Sequence, residues 1–309
     1  LVQATPLSLY QYALYGRRSV AISNTSHFDS FKPDEPCTTF GPCSGPINTD
    51  AILVAAGTDT GLSFDDSDLI YQDAPWPFSS SDNDLYGQGA TPSGDPTQVQ
   101  LTGPVLPNLI AQGSGILQAF DLDIPNQVVA AAPLPVVDIS SGQPASCLNL
   151  VIDGADPERS KQRFVLPAGE TACIRNLKVI NGGVFTTTDP TVLTTVYIQH
   201  LEVQGPSFVG VDRDANDKPV IPEVAPLEFL FNSPSSDIQI GNSPDIGPTQ
   251  ANVAFLAYGS NLQANIDGVW GYHMSVNAKN VVWRRGFIHF NEANQTTGTP
   301  SGLYRISLL

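Results

Sequence analysis

The chain has 309 residues, with 14 Lys+Arg against 30 Asp+Glu and a formal charge of −16. Apolar residues make up 41 %, enough for a sizeable core, which excludes a chain disordered throughout. Charged residues are only 14 %, and Gly and Pro number 26 each, which excludes a helical bundle and describes a β protein punctuated by loops.

Period-2 alternation marks short half-buried strands along the chain. Tyr10, Tyr12 and Leu14 share one face, followed by Val20/Ile22 and Ile52/Val54. Residues 72–98, polar and rich in Gly and Pro, read as a surface loop. Residues 125–147 read as a Pro-rich crossover. Strands resume at Leu148/Leu150/Ile152, Leu177/Val179 and Leu201/Val203. In 221–231, Pro222 and Pro226 leave room for one helical turn at best. Ile238/Ile240, Val253/Phe255, Leu262/Ala264/Ile266, Met274/Val276 and Val281/Trp283 complete the series, with Asn181-Gly182-Gly183, Gly241-Asn242 and Asp267-Gly268 as turns.

Many short strands at such spacing fit a sandwich of antiparallel hairpins or a solenoid of stacked coils. No strict period is present, so a regular hexapeptide helix is excluded. The small residues Ala254, Ala257, Ala264 and Ala278 suit a narrow solenoid core. The expected fold is therefore a single all-β domain over 1–309, a right-handed parallel β-helix with long loops; the alternative is a β-sandwich or jelly roll.

A charge of −16 without any Lys/Arg stripe argues against nucleic-acid binding, which needs clustered cations, and against anionic membrane surfaces. No apolar run approaches the ~18 residues of a membrane helix. The chain opens on Leu1, not Met, which suggests that a leader or anchor has been removed. Cys37 and Cys43 enclose a short ring, and Cys147 and Cys173 close a second local loop. Three pairings are open in principle; 37–43 with 147–173 is favoured, and cystines imply an oxidising compartment.

Asp212, Asp214, Asn216 and Asp217 place oxygen ligands at alternating positions, a pattern that can wrap Ca²⁺. The glycine at the sixth position and the distal Glu of an EF-hand are missing, so a solvated acidic loop is the competing reading. None of His27, His200, His273 and His289 has metal-site spacing. The run Asn48-Thr49-Asp50 followed by Asp65-Asp66 resembles the carboxylate set of polygalacturonase-like glycoside hydrolases, in which one carboxyl acts as acid and another as base. The G-H-G and R-I-K motifs of those enzymes are absent.

A wider resemblance begins at Leu7–Gly16, Ser19–Asn24 and Phe28–Phe31, with Gly45–Asp50 in place of a glycine-rich segment. It continues at Ala254–Leu262, Gly271–Val281 and Gly286–Ala293. In this colinear order the chain resembles the β-helical domain of PilX-type pilus-assembly (minor pilin-like) proteins, over about 1–70 and 225–309. The apolar N-terminal helix usual in that family is missing here. The resemblance implies an exported, non-enzymatic surface subunit, located extracellularly or at the cell surface. Its role would lie in type IV pilus-like assembly, adhesion or display, with other pilin-like subunits or surface glycans and proteins as partners. A polysaccharide-active β-helix enzyme using Asp50, Asp65 and Asp66 is the alternative of a different class, and a filament or virion structural protein a third. Trp76, Trp270 and Trp283 are candidate contact residues, Trp283 being placed inside by its alternation with Val281.

Overall fold

A computed structural model describes residues 2–31, 54–56, 62–64, 110–112 and 147–308, apart from 217, 232, 234, 242–249 and 296–299. In chain order its strands are Val2–Ser8 (β1), Leu14–Phe31 (β2), Val54–Ala56 (β3), Leu62–Phe64 (β4), Ile110–Gln112 (β5), Leu148–Asp153 (β6), Arg163–Leu166 (β7), Thr171–Ile180 (β8), Val184–Thr187 (β9), Thr194–Gln204 (β10) and Phe208–Val209 (β11). Asp212–Arg213 (β12), Pro219–Val220 (β13), Leu227–Phe231 (β14), Asp237–Gly241 (β15), Ala251–Val253 (β16), Phe255–Tyr258 (β17), Gln263–Ile266 (β18), Val269–Tyr272 (β19), Ser275–Asn291 (β20) and Pro300–Leu308 (β21) follow.

Seventeen of these strands form one hydrogen-bonded sheet, and every pairing within it is parallel. Each stretch of chain lies in register on the one before it. Thr171 faces Thr195, 24 residues on, while Val269 faces Gly286 after only 17. The uneven separations explain why no repeat period can be read from the sequence: insertions leave at the corners and the pairing residues return to register. A sandwich needs antiparallel neighbours. Among the described strands only β1–β21 and β12–β13 run antiparallel.

The order of stacking departs from chain order at one place. The N-terminal β2 lies along β20, pairing Leu14 with Val276, Val20 with Val281 and Phe28 with Ile288. Rungs therefore run from β6 and β7 up to β20, pass to β2, and continue to β3, β4 and β5. Two bulges in β2, at 16–19 and 23–26, fall where the rung bends. Residues 9–13 form a bend rather than the strand that alternation of Tyr10, Tyr12 and Leu14 predicts. Val253 and Phe255 likewise end one strand and open the next, with Ala254 buried at the corner between them.

Alternation fixes which side chains go inside. One internal row runs Leu150, Leu177, Leu201, Ile238, Ala264, Val281, Val20. A second runs Ile152, Val179, Val203, Ile240, Ile266, Trp283, Ile22. Trp283 is fully buried between Ile266 and Ile22 of the adjoining rungs, and its ring lies so close to Gly286 that a Cβ there would come within 2.7 Å of Cζ2. Phe164, Phe185, Phe229 and Phe255 form a third, aromatic pile, with ring centroids 5.9, 6.2 and 5.3 Å apart. Cys147 and Cys173 form a disulfide that ties β8 to the rung beneath it. Gly210 adopts φ +72, and a Cβ there would collide with the Ala254 carbonyl, so the tight corner after β11 requires glycine.

Candidate functional site

The outward positions of the same strands carry polar side chains in rows. Asn149, Asn176, His200, Asp237, Gln263, Asn280 and Ser19 stand one per rung over seven successive rungs. At the ~4.8 Å spacing of paired strands, the row is about 29 Å long. Its members bond along the row: Asn176 Nδ2 donates to Asn149 Oδ1 at 2.6 Å and Asn280 Nδ2 to Gln263 Oε1 at 2.8 Å. Ser19 Oγ donates to Asn280 Oδ1 at 2.9 Å, and His200 Nδ1 contacts the Asp237 carboxylate.

A parallel row two residues along each strand holds Val151, Lys178, Glu202, Gln239 and Asn265. Lys178 Nζ lies 2.8 Å from Glu202 Oε1, both side chains more than a third exposed. Val151, at the end of the row, is 60 % exposed. Together the rows make a polar strip whose middle rungs carry His200, Asp237, Lys178 and Glu202, with amides on either side. Each amide offers both donors and an acceptor. This is the chemistry that hydroxyl-bearing ligands require.

A different flank is covered by the protein itself. Residues 8–13 pass over the outer faces of β14, β17 and β20 and bury Leu9 and Tyr10 against Ala225, Leu230, Leu256 and Tyr258. Beneath this strap Glu228 is 2 % exposed; Tyr10 Oη donates to its Oε1 at 2.9 Å and Thr195 Oγ1 to its Oε2 at 3.0 Å. Burial, followed by the neighbouring Glu228 carboxyl, holds the Tyr10 hydroxyl well above the ordinary tyrosine pKa. Asn277 Nδ2 donates to Leu9 O, and Ser275 Oγ to Tyr12 O, which pins the strap at both ends.

On the third flank the hairpin β12–β13 folds over the start of β7. The Asp212 carboxylate receives two bonds from the Arg163 guanidinium, that from Nη2 being 2.6 Å long. Asp214 Oδ1 accepts from the backbone N–H groups of Asn216 and Lys218 at 2.8 and 2.9 Å, which closes the hairpin loop and lowers the Asp214 pKa. Of the sequence-predicted Ca²⁺ ligands, Asp212 is thus turned to an arginine and Asp214 to its own loop; Asp217 lies outside the described residues. Among the described residues no group of three or more His, Cys, Asp or Glu converges as a metal site would. An open depression of about 520 Å³ lies beside the hairpin, lined by Arg159, Gln162, Arg163, Arg213, Asp214 and Ala215.

Asp50, Asp65, Asp66, Cys37, Cys43 and Trp76 lie outside the described residues, as do the 72–98 loop and nearly all of the 125–147 crossover. His273 is buried, with φ +55 and Nε2 2.7 Å from Pro222 O, consistent with a structural histidine. Trp270 is half-buried, its ring stacked on Tyr272 at a centroid distance of 6.5 Å. Sequence reasoning passed over Glu228, Arg159, Arg163 and Arg213, and read Tyr10 only as a strand residue. Only the apolar residues flanking Glu228 in a strand signalled that a carboxyl there would be covered. Among the described residues no helix is long and apolar enough to cross a membrane. No family model, curated protein or solved structure matches the chain.

Proposed function

We propose that the protein is a non-catalytic, exported surface subunit of pilin-like type. Its stacked rungs wind as a right-handed parallel β-helix that presents the polar strip to surface glycans. The reading rests above all on the seven-rung row from Asn149 to Ser19. Its members stand one per rung and are all at least partly exposed, and the rung spacing is close to the spacing of rings in an extended sugar chain. Stiffness supports the same role. Backbone groups of each rung bond to the rungs above and below, so a rod can hold its shape without a wide globular core. The Cys147–Cys173 bond fits an oxidising location.

Immobilised neutral polysaccharides titrated with the purified chain test this. Binding is expected with wild type and should weaken at least tenfold in the combined Asn176→Ala, Gln263→Ala, Asn280→Ala variant. No binding to any polysaccharide, or equal binding by the variant, would remove the strip from consideration. Release of shortened sugar chains would replace presentation with catalysis.

A further inference from the structure

We infer that a second copy of this chain can supply the N-terminal unit of the stack: β1, the strap 8–13 and β2 of one copy dock on β20 and β21 of another, so that two chains exchange these segments. The inference rests on the seam between β20 and β2 and holds whether or not the polar strip binds glycans. Among the described strands, neighbouring rungs elsewhere follow one another along the chain, as β8 follows β6 and β10 follows β8. At the seam the chain does not pass from one rung to the next. Leu14–Phe31 lies along Ser275–Asn291, with partners 260 to 262 residues apart.

What docks at the seam is specified residue by residue. The apolar positions of β2 meet those of β20 in register, Leu14 on Val276, Val20 on Val281 and Ile22 on Trp283. The strap adds Leu9 and Tyr10, buried against Ala225, Leu230, Leu256 and Tyr258, and Tyr10 Oη donates to Glu228 Oε1 at 2.9 Å. Asn277 Nδ2 donates to Leu9 O at 2.9 Å, and Val276 N to Ala13 O at 2.8 Å. Before the strap, β1 pairs antiparallel with β21, from Val2 on Leu308 to Pro6 on Tyr304. A partner without this order of side chains would leave the buried Glu228 short of a donor, and a slip of one residue would turn its apolar set outward. A second copy carries the whole set unchanged.

The covalent connection permits the exchange. Residues 113–146 join β5, in the N-terminal unit, to Cys147 beside β6 at the other end of the stack. From β6 through β8, β10, β15, β18, β20, β2 and β3 to β5 is eight rung steps, about 38 Å at the spacing of paired strands. That many residues can extend to about 110 Å, so the N-terminal unit can reach a neighbouring copy as well as its own body. Domain swapping costs little because each contact made within one chain is remade between two, and reciprocal exchange closes a dimer. A tethered segment acts at an effective concentration on the order of 1 mM, which sets where a second copy begins to compete. In a stack each rung contacts only its neighbours, so exchange at the seam leaves the other rungs as they are.

Refolding of the whole chain tests the inference. Ala21 and Val282 face each other across the seam at partly exposed positions, and paired strands lie within the separation a disulfide accepts. An Ala21→Cys chain and a Val282→Cys chain are unfolded without reductant, which keeps Cys147–Cys173 closed, then mixed and refolded together at about 1 mM and at about 1 μM. After oxidation, peptide mapping by mass spectrometry is expected to find a bond between the two chains at these positions, at least tenfold more abundant at the higher concentration. A Ser23→Cys chain with an Arg284→Cys chain, the next outward pair along the strands, should link likewise. An Ala21→Cys chain with a Gln239→Cys chain should not, because Gln239 lies on β15, several rungs away. One chain carrying both Ala21→Cys and Val282→Cys should link within itself at the lower concentration, which shows that the positions react. If that chain links while neither mixed pair does at about 1 mM, the second copy is excluded as the occupant. Linkage to Gln239→Cys as abundant as to Val282→Cys, or a doubly substituted chain that does not link, would overturn the seam itself.

Discussion

Replacing Tyr10 by Phe keeps the ring that packs beside Leu9, Ala225 and Leu256, so apolar burial is unchanged. One O–H donor is removed from 2.9 Å of a carboxyl oxygen on a residue 2 % exposed. Leaving a buried acceptor short of a donor costs about 1–3 kcal/mol. A loss near 2 kcal/mol is a factor of about 30 in the ratio of folded to unfolded chains. Urea unfolding measures the loss, and hydrogen exchange locates it: Val276 N donates to Ala13 O at 2.8 Å, so its protection reports whether the strap stays seated. The expected result is faster exchange at Val276 with little change at Val203 on a distant rung. A double-mutant cycle with Glu228→Gln should return a coupling of about 1 kcal/mol. Stability within about 0.5 kcal/mol of wild type, with no coupling and unaltered exchange, would refute the strap as a clamp held by the Tyr10–Glu228 bond.

Alkaline unfolding should follow the buried tyrosines. Burial raises the folded pKa of Tyr10 and of Tyr272 above the ordinary 10.0, so their contribution is complete below about pH 10 and is lost as pH climbs toward the folded values, by up to about 1.4 kcal/mol per pH unit for each group. Circular dichroism recorded with tyrosinate absorbance checks this; loss of structure well below pH 10 would point to other groups. Opening the Cys147–Cys173 bond, across a separation of 26 residues, should lower stability by about 3.5 kcal/mol on chain-entropy grounds. Cys173→Ser in urea measures it, and an unchanged midpoint would contradict that origin. Gly210→Ala should cost more than about 2 kcal/mol, since its left-handed φ and the Ala254 carbonyl both oppose a Cβ; a neutral result would mean the corner can rearrange.

Period-2 alternation by itself determined which side chains face inward. Leu177/Val179, Leu201/Val203, Ile238/Ile240, Val281/Trp283 and Val20/Ile22 all point into the core as their spacing requires, because a strand turns its side chains to opposite faces at every residue. The outward polar row was fixed by the same rule, one residue out of step. What alternation does not carry is which strand lies beside which. Parallel pairing joins residues 17 to 262 positions apart, and nothing local marks β2 as the partner of β20. Only the tertiary structure decided that placement and, through it, the strap over Glu228. The meeting of Arg159 and Arg163 with Arg213 came about in the same way. Such contacts arise from the way rungs are piled, and residues far apart along the chain leave no shared pattern in the sequence before the fold brings them together.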